Sequence, residues 1–341
     1  MGTRGHLVEI DVLKGLAILA VVTLHGAPGN DLWNSWSAFH VGQAVPVFFV
    51  VMGLNATRSM RRRAPQGARD AYTRGYFAGR AERLLAPFAV LWLTALAAGA
   101  IGGGLHVGPL AAVGVLPLAG PGNYFVTIAF EFALVFPALS LGFRAAPRAT
   151  VALCFAASAS FELAAPHVFH GADPYLYDAS ILRYAGPIAL GMWIASDTRL
   201  SSPRNRWALG LSAASIAYLV AYHLRPGAFS WLRDDFGTTT NFIACFYALL
   251  LVLLALRYLP RLGPLAALGR ASWHIFLVQI VWFALVPPRS LAALPLHVAG
   301  ASALGYALYR VMATEPVANR IRALVAERAS GDEALALART R

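Results

Sequence analysis

The chain has 341 residues, 58% hydrophobic and 13% charged, with a formal net charge of +12 and a mean hydropathy of +0.59. This composition excludes an ordinary soluble domain and implies a polytopic membrane protein. Two cysteines, Cys154 and Cys245, both in apolar runs, exclude a disulfide framework, a zinc-ligand spacing and a paired redox motif, and the scattered basic residues form no stripe for nucleic acid.

The first apolar stretch, DVLKGLAILAVVTLH from Asp11 to His25, is interrupted by charges and lacks a small-residue cleavage site, so it reads as an uncleaved helix. Windows able to cross roughly 30 Å of hydrocarbon fall near 10–26, 41–57, 84–103, 123–143 and 149–165. They recur near 180–196, 207–223, 238–256, 271–288 and 292–313. Backbone in lipid must satisfy its own hydrogen bonds, and no period-two alternation points to a barrel. The windows therefore predict an all-α membrane bundle of about ten transmembrane helices. An even number of spans puts both termini on one side. That side carries 22 basic residues against 3 opposite, Arg225, Arg233 and Arg289, which predicts cytoplasmic termini. Residues 1–316 read as one integral membrane domain. Residues 317–341 read as a cytoplasmic tail, whose apolar positions 317, 321, 324 and 325 among arginines suit a short helix on anionic lipid.

Within the first helix, Lys14 and His25 are eleven positions apart and point in nearly the same direction, about 16 Å apart along the axis. Asp11 lies one turn before Lys14, where an ion pair lowers the cost of inserting both charges. Two readings fit. Asp11 and Lys14 snorkel to one interface while His25 sits at the other; or the shared face lines a polar cavity in which a neutral His25 takes a proton from a hydroxyl. Arg80 and Arg83 share a helix face where the third span meets the cytoplasm. Forked donors there suit a polyphosphate, although the positive-inside rule alone also places arginines at this boundary.

Five motifs, taken in order, resemble the acyltransferase family 3 membrane proteins. DVLKGLAILAVVTLH follows the family's Asp-x-x-Arg-Gly-x-Ala-x-x-x-Val-x-x-x-His pattern with Lys14 for Arg, and VPVFFVVMGL at 45–54 is similar to its P-x-F-F-x-x-S-G with Met52 for Ser. RAER at 80–83 matches its Arg-x-x-Arg, and GRASWHIFLVQ at 269–279 is similar to its G-x-x-S-Y-x-x-Y-L-x-H, with TEPV at 314–317 near its closing E-x-P-F. Trp273, Phe276 and Gln279 stand where the pattern has Tyr, Tyr and His, and Gln279 cannot carry a proton as His does.

The resemblance implies an enzyme of the plasma membrane that moves an acyl group, acetyl above all, from cytoplasmic acyl-coenzyme A to a hydroxyl, commonly of a carbohydrate or cell-envelope glycan. It implies a catalytic site of His25, Lys14 and Asp11, with His25 acting either as general base or as a transient carrier of the acyl group, with Arg80 and Arg83 binding the donor, no metal and no nucleic-acid partner. The alternative is a transporter or flippase for a glycan or small molecule, since intramembrane charges also mark substrate pathways.

Other polar residues carry weaker expectations. Glu131, mid-span, reads as a structural carboxyl facing the bundle interior, or as a group positioning the acceptor. Glu162, Arg183 and His274 read as anchoring or helix-pairing residues. HGADPYLYD at 170–178 fits either a sugar-stacking loop or an ordinary interfacial loop. His167, His170, Asp173 and Asp178 match no metal-ligand spacing, nor does LRDDFG at 232–237.

Overall fold

The computed structural model describes residues 7–102, 114–118, 120–168, 174–229, 237–288 and 290–314. Among the described residues there are helices and turns and no strand. Each of the ten apolar windows holds one longer helix: α1 Val8–Gly26, α2 Ala44–Arg63, α3 Ala86–Gly102, α4 Tyr124–Ala145, α5 Pro147–Val168, α6 Ile181–Ile194, α7 Arg206–Leu224, α8 Cys245–Tyr258, α9 Ser272–Leu285 and α10 Leu294–Met312. Arg4, Arg233, Arg289, Glu315, the tail from 317, His170, Asp173 and the segment LRDDF lie outside the described residues.

Among the described residues, five helical stretches are by length and composition apolar enough to cross a bilayer by themselves: Ala68–Ile101, Tyr124–Ala145, Pro147–Ala165, Arg206–Leu224 and Leu291–Met312. A sixth arises if Gly263–Arg270 and Ser272–Leu285, which meet at a bend of 68°, count as one span. The remaining windows differ for physical reasons. α1 carries Glu9, Asp11 and Lys14 in its first two turns, and α2 ends in Arg61, Arg62 and Arg63. α6 and α8 have 14 residues each, about 21 Å of helix, which is short of the roughly 30 Å hydrocarbon core.

Two close helix crossings set the frame. α1 packs on the Gly263–Arg270 helix at Gly15 and Gly269. A Cβ on Gly15 would collide with the Leu265 carbonyl and one on Gly269 with the Asp11 carbonyl, so only glycine permits this approach. α2 crosses α6 in the same way, with Gly53 against the Ile188 carbonyl and Gly191 against the Val50 carbonyl. The first crossing fixes Asp11 and Lys14 beside Arg270; the second holds α2 so that its other face is free for the site. α9 runs through the core, with Ile275 through Val281 buried.

The intramembrane acids and Arg183 are bound into this frame. Glu131 Oε2 accepts from the Ile181 backbone N–H at 2.7 Å, capping the first turn of α6, which is the structural role expected of it. Glu162, 1% exposed, accepts from the Phe242 N–H at 3.3 Å. Arg183, also 1% exposed, donates to Asp178 and to Thr240 Oγ1 and lies 4.2 Å over the Tyr177 ring. Tyr177 and Asp178 are thus committed to the fold, which removes the two described members of the HGADPYLYD segment best suited to a sugar. A buried charge of this kind tolerates no loss of its partner.

Candidate functional site

A cavity of about 660 Å³ opens between α1, α2, α4, α9 and α10 and the segment from Arg80 to Pro87, within the range of small-molecule sites. Part of its lining is cationic: Lys14, Arg80, Arg83 and Arg270 line it together with Glu82. The lining is otherwise largely apolar and aromatic, with Val21, Phe48, Phe125 and Phe276 among it. The sequence alone brings Lys14 and the Arg80/Arg83 pair to one boundary; the fold puts all three on one cavity wall.

Local structure explains the placement of each cation. Arg80 ends the Arg74–Arg80 helix, which Thr73 caps by accepting from the Tyr76 N–H at 3.2 Å. The chain then widens into a π-helical turn, Ala81–Leu85, that carries Arg83, a distortion frequent at functional sites. Tyr76 braces this region, with Arg63 and Arg80 at 5.4 and 5.3 Å from its ring. Lys14 Nζ lies 3.1 Å from Asp11 Oδ1. Asp11 is 3% exposed, and its second oxygen is 4.0 Å from Arg270 Nη1. Asp11 therefore sits behind the two cations and holds them, while Lys14 faces the cavity.

His25 lies one turn beyond Val21 on α1 and is partly buried, with Nδ1 2.8 Å from Gln279 Oε1. The Gln279 amide is oriented from its far side, where Nε2 donates to the Pro121 carbonyl at 3.2 Å. A carbonyl oxygen only accepts, so Oε1 must be the end that faces His25, and Oε1 in turn only accepts. Nδ1 therefore bears the hydrogen and Nε2 presents its lone pair. Phe283 meets the imidazole edge-on at 6.3 Å. The cavity wall reaches Val21, and His25 is not itself one of its lining residues.

Several site residues were not singled out by sequence reasoning. Arg270 had the appearance of one more positive-inside residue. Its signal is its position, immediately before the bend that separates the Gly263–Arg270 helix from α9. His274, read as an anchoring or helix-pairing residue, packs edge-on against Tyr309 of α10 at 5.3 Å, a helix-pairing contact, and also lines the cavity with Trp273. Among the described residues no three His, Cys, Asp or Glu side chains come together as a metal site would require.

A model of the acyltransferase domain family, acyltransferase family 3, matches residues 7–309. The chain belongs to this family. No match was found among curated proteins or among solved structures. The protein is therefore a multi-pass membrane acyltransferase. In this acyltransferase the matched region covers α1 through most of α10 and so includes every residue of the cavity except Met312 and Ala313. Phe276 and Gln279, two residues of the 269–279 motif, are grouped around His25: Gln279 hydrogen-bonds it, and a Cβ at Gly122 would meet both His25 and Phe276.

Proposed function

We propose that this acyltransferase takes an acyl group, acetyl above all, from acyl-coenzyme A and transfers it to a hydroxyl of a carbohydrate or cell-envelope glycan. The observation that carries the reading is one cavity lined by four basic side chains and by Val21, one turn before the hydrogen-bonded His25 on α1. In this reading all ten helices cross the plasma membrane, with both termini in the cytoplasm, in line with the 22 to 3 asymmetry of basic residues.

The donor's phosphates rest on Arg80, Arg83 and Arg270, where forked, charge-assisted hydrogen bonds are strongest. Lys14, held by Asp11, adds a point charge. The pantetheine arm runs along α1 past Val21 and brings the thioester to His25. His25 Nε2 accepts the proton of the acceptor hydroxyl as its oxygen attacks the thioester carbonyl. The C–O bond of the new ester forms and the C–S bond breaks. The proton passes from Nε2 to the departing sulfur, so that coenzyme A leaves as the thiol and His25 returns to its starting tautomer. Gln279 accepts from Nδ1–H throughout and stabilises the imidazolium that forms in passing.

Mass spectrometry of envelope glycans and secreted small molecules, from cells with and without the protein, tests this reading. A gain of one acetyl unit that needs both the protein and His25 is the expected result. Uptake or translocation of a substrate with no chemical change, at unaltered coenzyme A turnover, would instead favour a transporter.

A further inference from the structure

We propose that Phe125 and Phe276 form a partition between the donor cavity and His25, and that this pair limits the transferred acyl group to short chains. The proposal rests on the acyl-coenzyme A reading above and names the donor's acyl class. Both rings line the cavity, with centroids 4.9 Å apart at a tilt of 53°. Val21 lines the cavity, whereas His25, four residues further along α1, does not.

A backbone turn completes the closure. Gly122, at φ +82°, packs so closely that a Cβ there would stand 3.1 Å from His25 Cε1 and 3.3 Å from Phe276 Cζ. The Phe276 ring tip and the imidazole edge therefore flank the same turn. Nδ1 of His25 is taken by Gln279, so a thioester carbonyl coming from the cavity reaches the free Nε2 by passing the two rings. Neither ring swings away easily. Phe276 is stacked on Trp273 at 6.0 Å and 13°, and Phe125 packs on Phe49 at 5.2 Å and on Phe48 at 6.3 Å. In a close-packed interior each added methylene of an acyl tail has to displace a braced ring. An acetyl group carries only a methyl beyond the carbonyl carbon and asks for the smallest displacement.

A donor chain-length series tests the partition: acetyl-, butyryl-, hexanoyl- and octanoyl-coenzyme A, followed by coenzyme A release in nanodiscs, with Phe276→Ala, Phe276→Leu and Phe125→Leu beside wild type. Wild type is expected to prefer acetyl. In Phe276→Ala the kcat/KM ratio of butyryl to acetyl is expected to rise by about tenfold or more, the discrimination that one or two methylenes carry in an apolar pocket. The leucine variants shift it the same way by less and serve if the alanine variant does not fold. Chain-length profiles that superimpose on wild type in all variants that bind radiolabelled coenzyme A and turn over would overturn the partition and leave the donor reading standing. Wild type that neither binds coenzyme A nor releases it from any donor would overturn the donor reading, and the partition with it.

Discussion

His25 and Gln279, 254 positions apart in the chain, share a 2.8 Å hydrogen bond whose direction is set by a third group, the Pro121 carbonyl. Removing the acceptor should therefore disable the base without emptying the cavity. Gln279→Leu is expected to lower kcat by about a hundredfold or more while leaving the donor KM nearly unchanged, as when the group orienting a catalytic histidine is lost. Gln279→Glu keeps an acceptor toward Nδ1 and should lose far less. Steady-state kinetics of the two variants check this; equal losses in both, or a loss confined to KM, would speak against a tautomer-setting role.

Arg80, Arg83 and Arg270 line the cavity and His25 does not, so their loss should appear in donor affinity. Each alanine variant is expected to raise the donor KM by about 10- to 100-fold, the weight of hydrogen bonds to a charged group, with little change in kcat. Wild-type affinity should also weaken with salt, since these side chains are partly solvent-screened. A donor KM unchanged in all three variants would remove them from the binding site.

Lys14 is the only lysine in the chain, and its side chain is 22% exposed. An amine-reactive reagent followed by peptide mass spectrometry therefore reports on the cavity without mutation. Saturating donor should protect Lys14 severalfold while labelling of the N-terminal amine stays constant. Equal labelling with and without donor would mean that the donor does not enter this cavity.

The α1 crossing at Gly15 and Gly269 predicts a steric cost with a clean control. Gly15→Ala and Gly269→Ala each force a Cβ into a backbone carbonyl and should destabilise by about 1–3 kcal/mol or more. Gly75→Ala, with nothing within 4 Å of its Cβ, should be neutral or stabilising by up to about 1 kcal/mol. Thermal unfolding in detergent measures all three.

Glu131 should behave as a cap. Glu131→Ala is expected to cost about 0.5–2 kcal/mol of stability, while Glu131→Gln, which keeps an acceptor for the Ile181 N–H, costs less. Both retain the donor KM of wild type. A selective loss of acceptor turnover in the glutamine variant would assign Glu131 to the acceptor site.

The ten longer helices were legible because a helix that crosses lipid must satisfy its own backbone there, a demand that favours long apolar windows; among the described residues five, or six with the bent pair, are long and apolar enough to cross. The Asp11–Lys14 pair was legible for a related reason, since three positions along a helix is a fixed distance. Arg270, Gln279 and Phe276 were not legible as site residues. The motif at 269–279 marks the stretch that holds them, but their contacts come from a bend at Ala271 and from partners more than a hundred positions away, which the motif does not encode. The segment ending at Tyr177 and Asp178 fits a sugar-stacking loop and an ordinary interfacial loop equally well in sequence, because composition does not show that both side chains engage the buried Arg183.

The most direct measurement is coenzyme A thiol release from acetyl-coenzyme A by the purified protein in nanodiscs, supplied with an envelope-glycan extract, for wild type beside His25→Ala at matched folding. Release that depends on the extract in wild type and falls by about a hundredfold or more in His25→Ala is the predicted result. Equal release by the two proteins would contradict a cavity organised to deliver the thioester to His25.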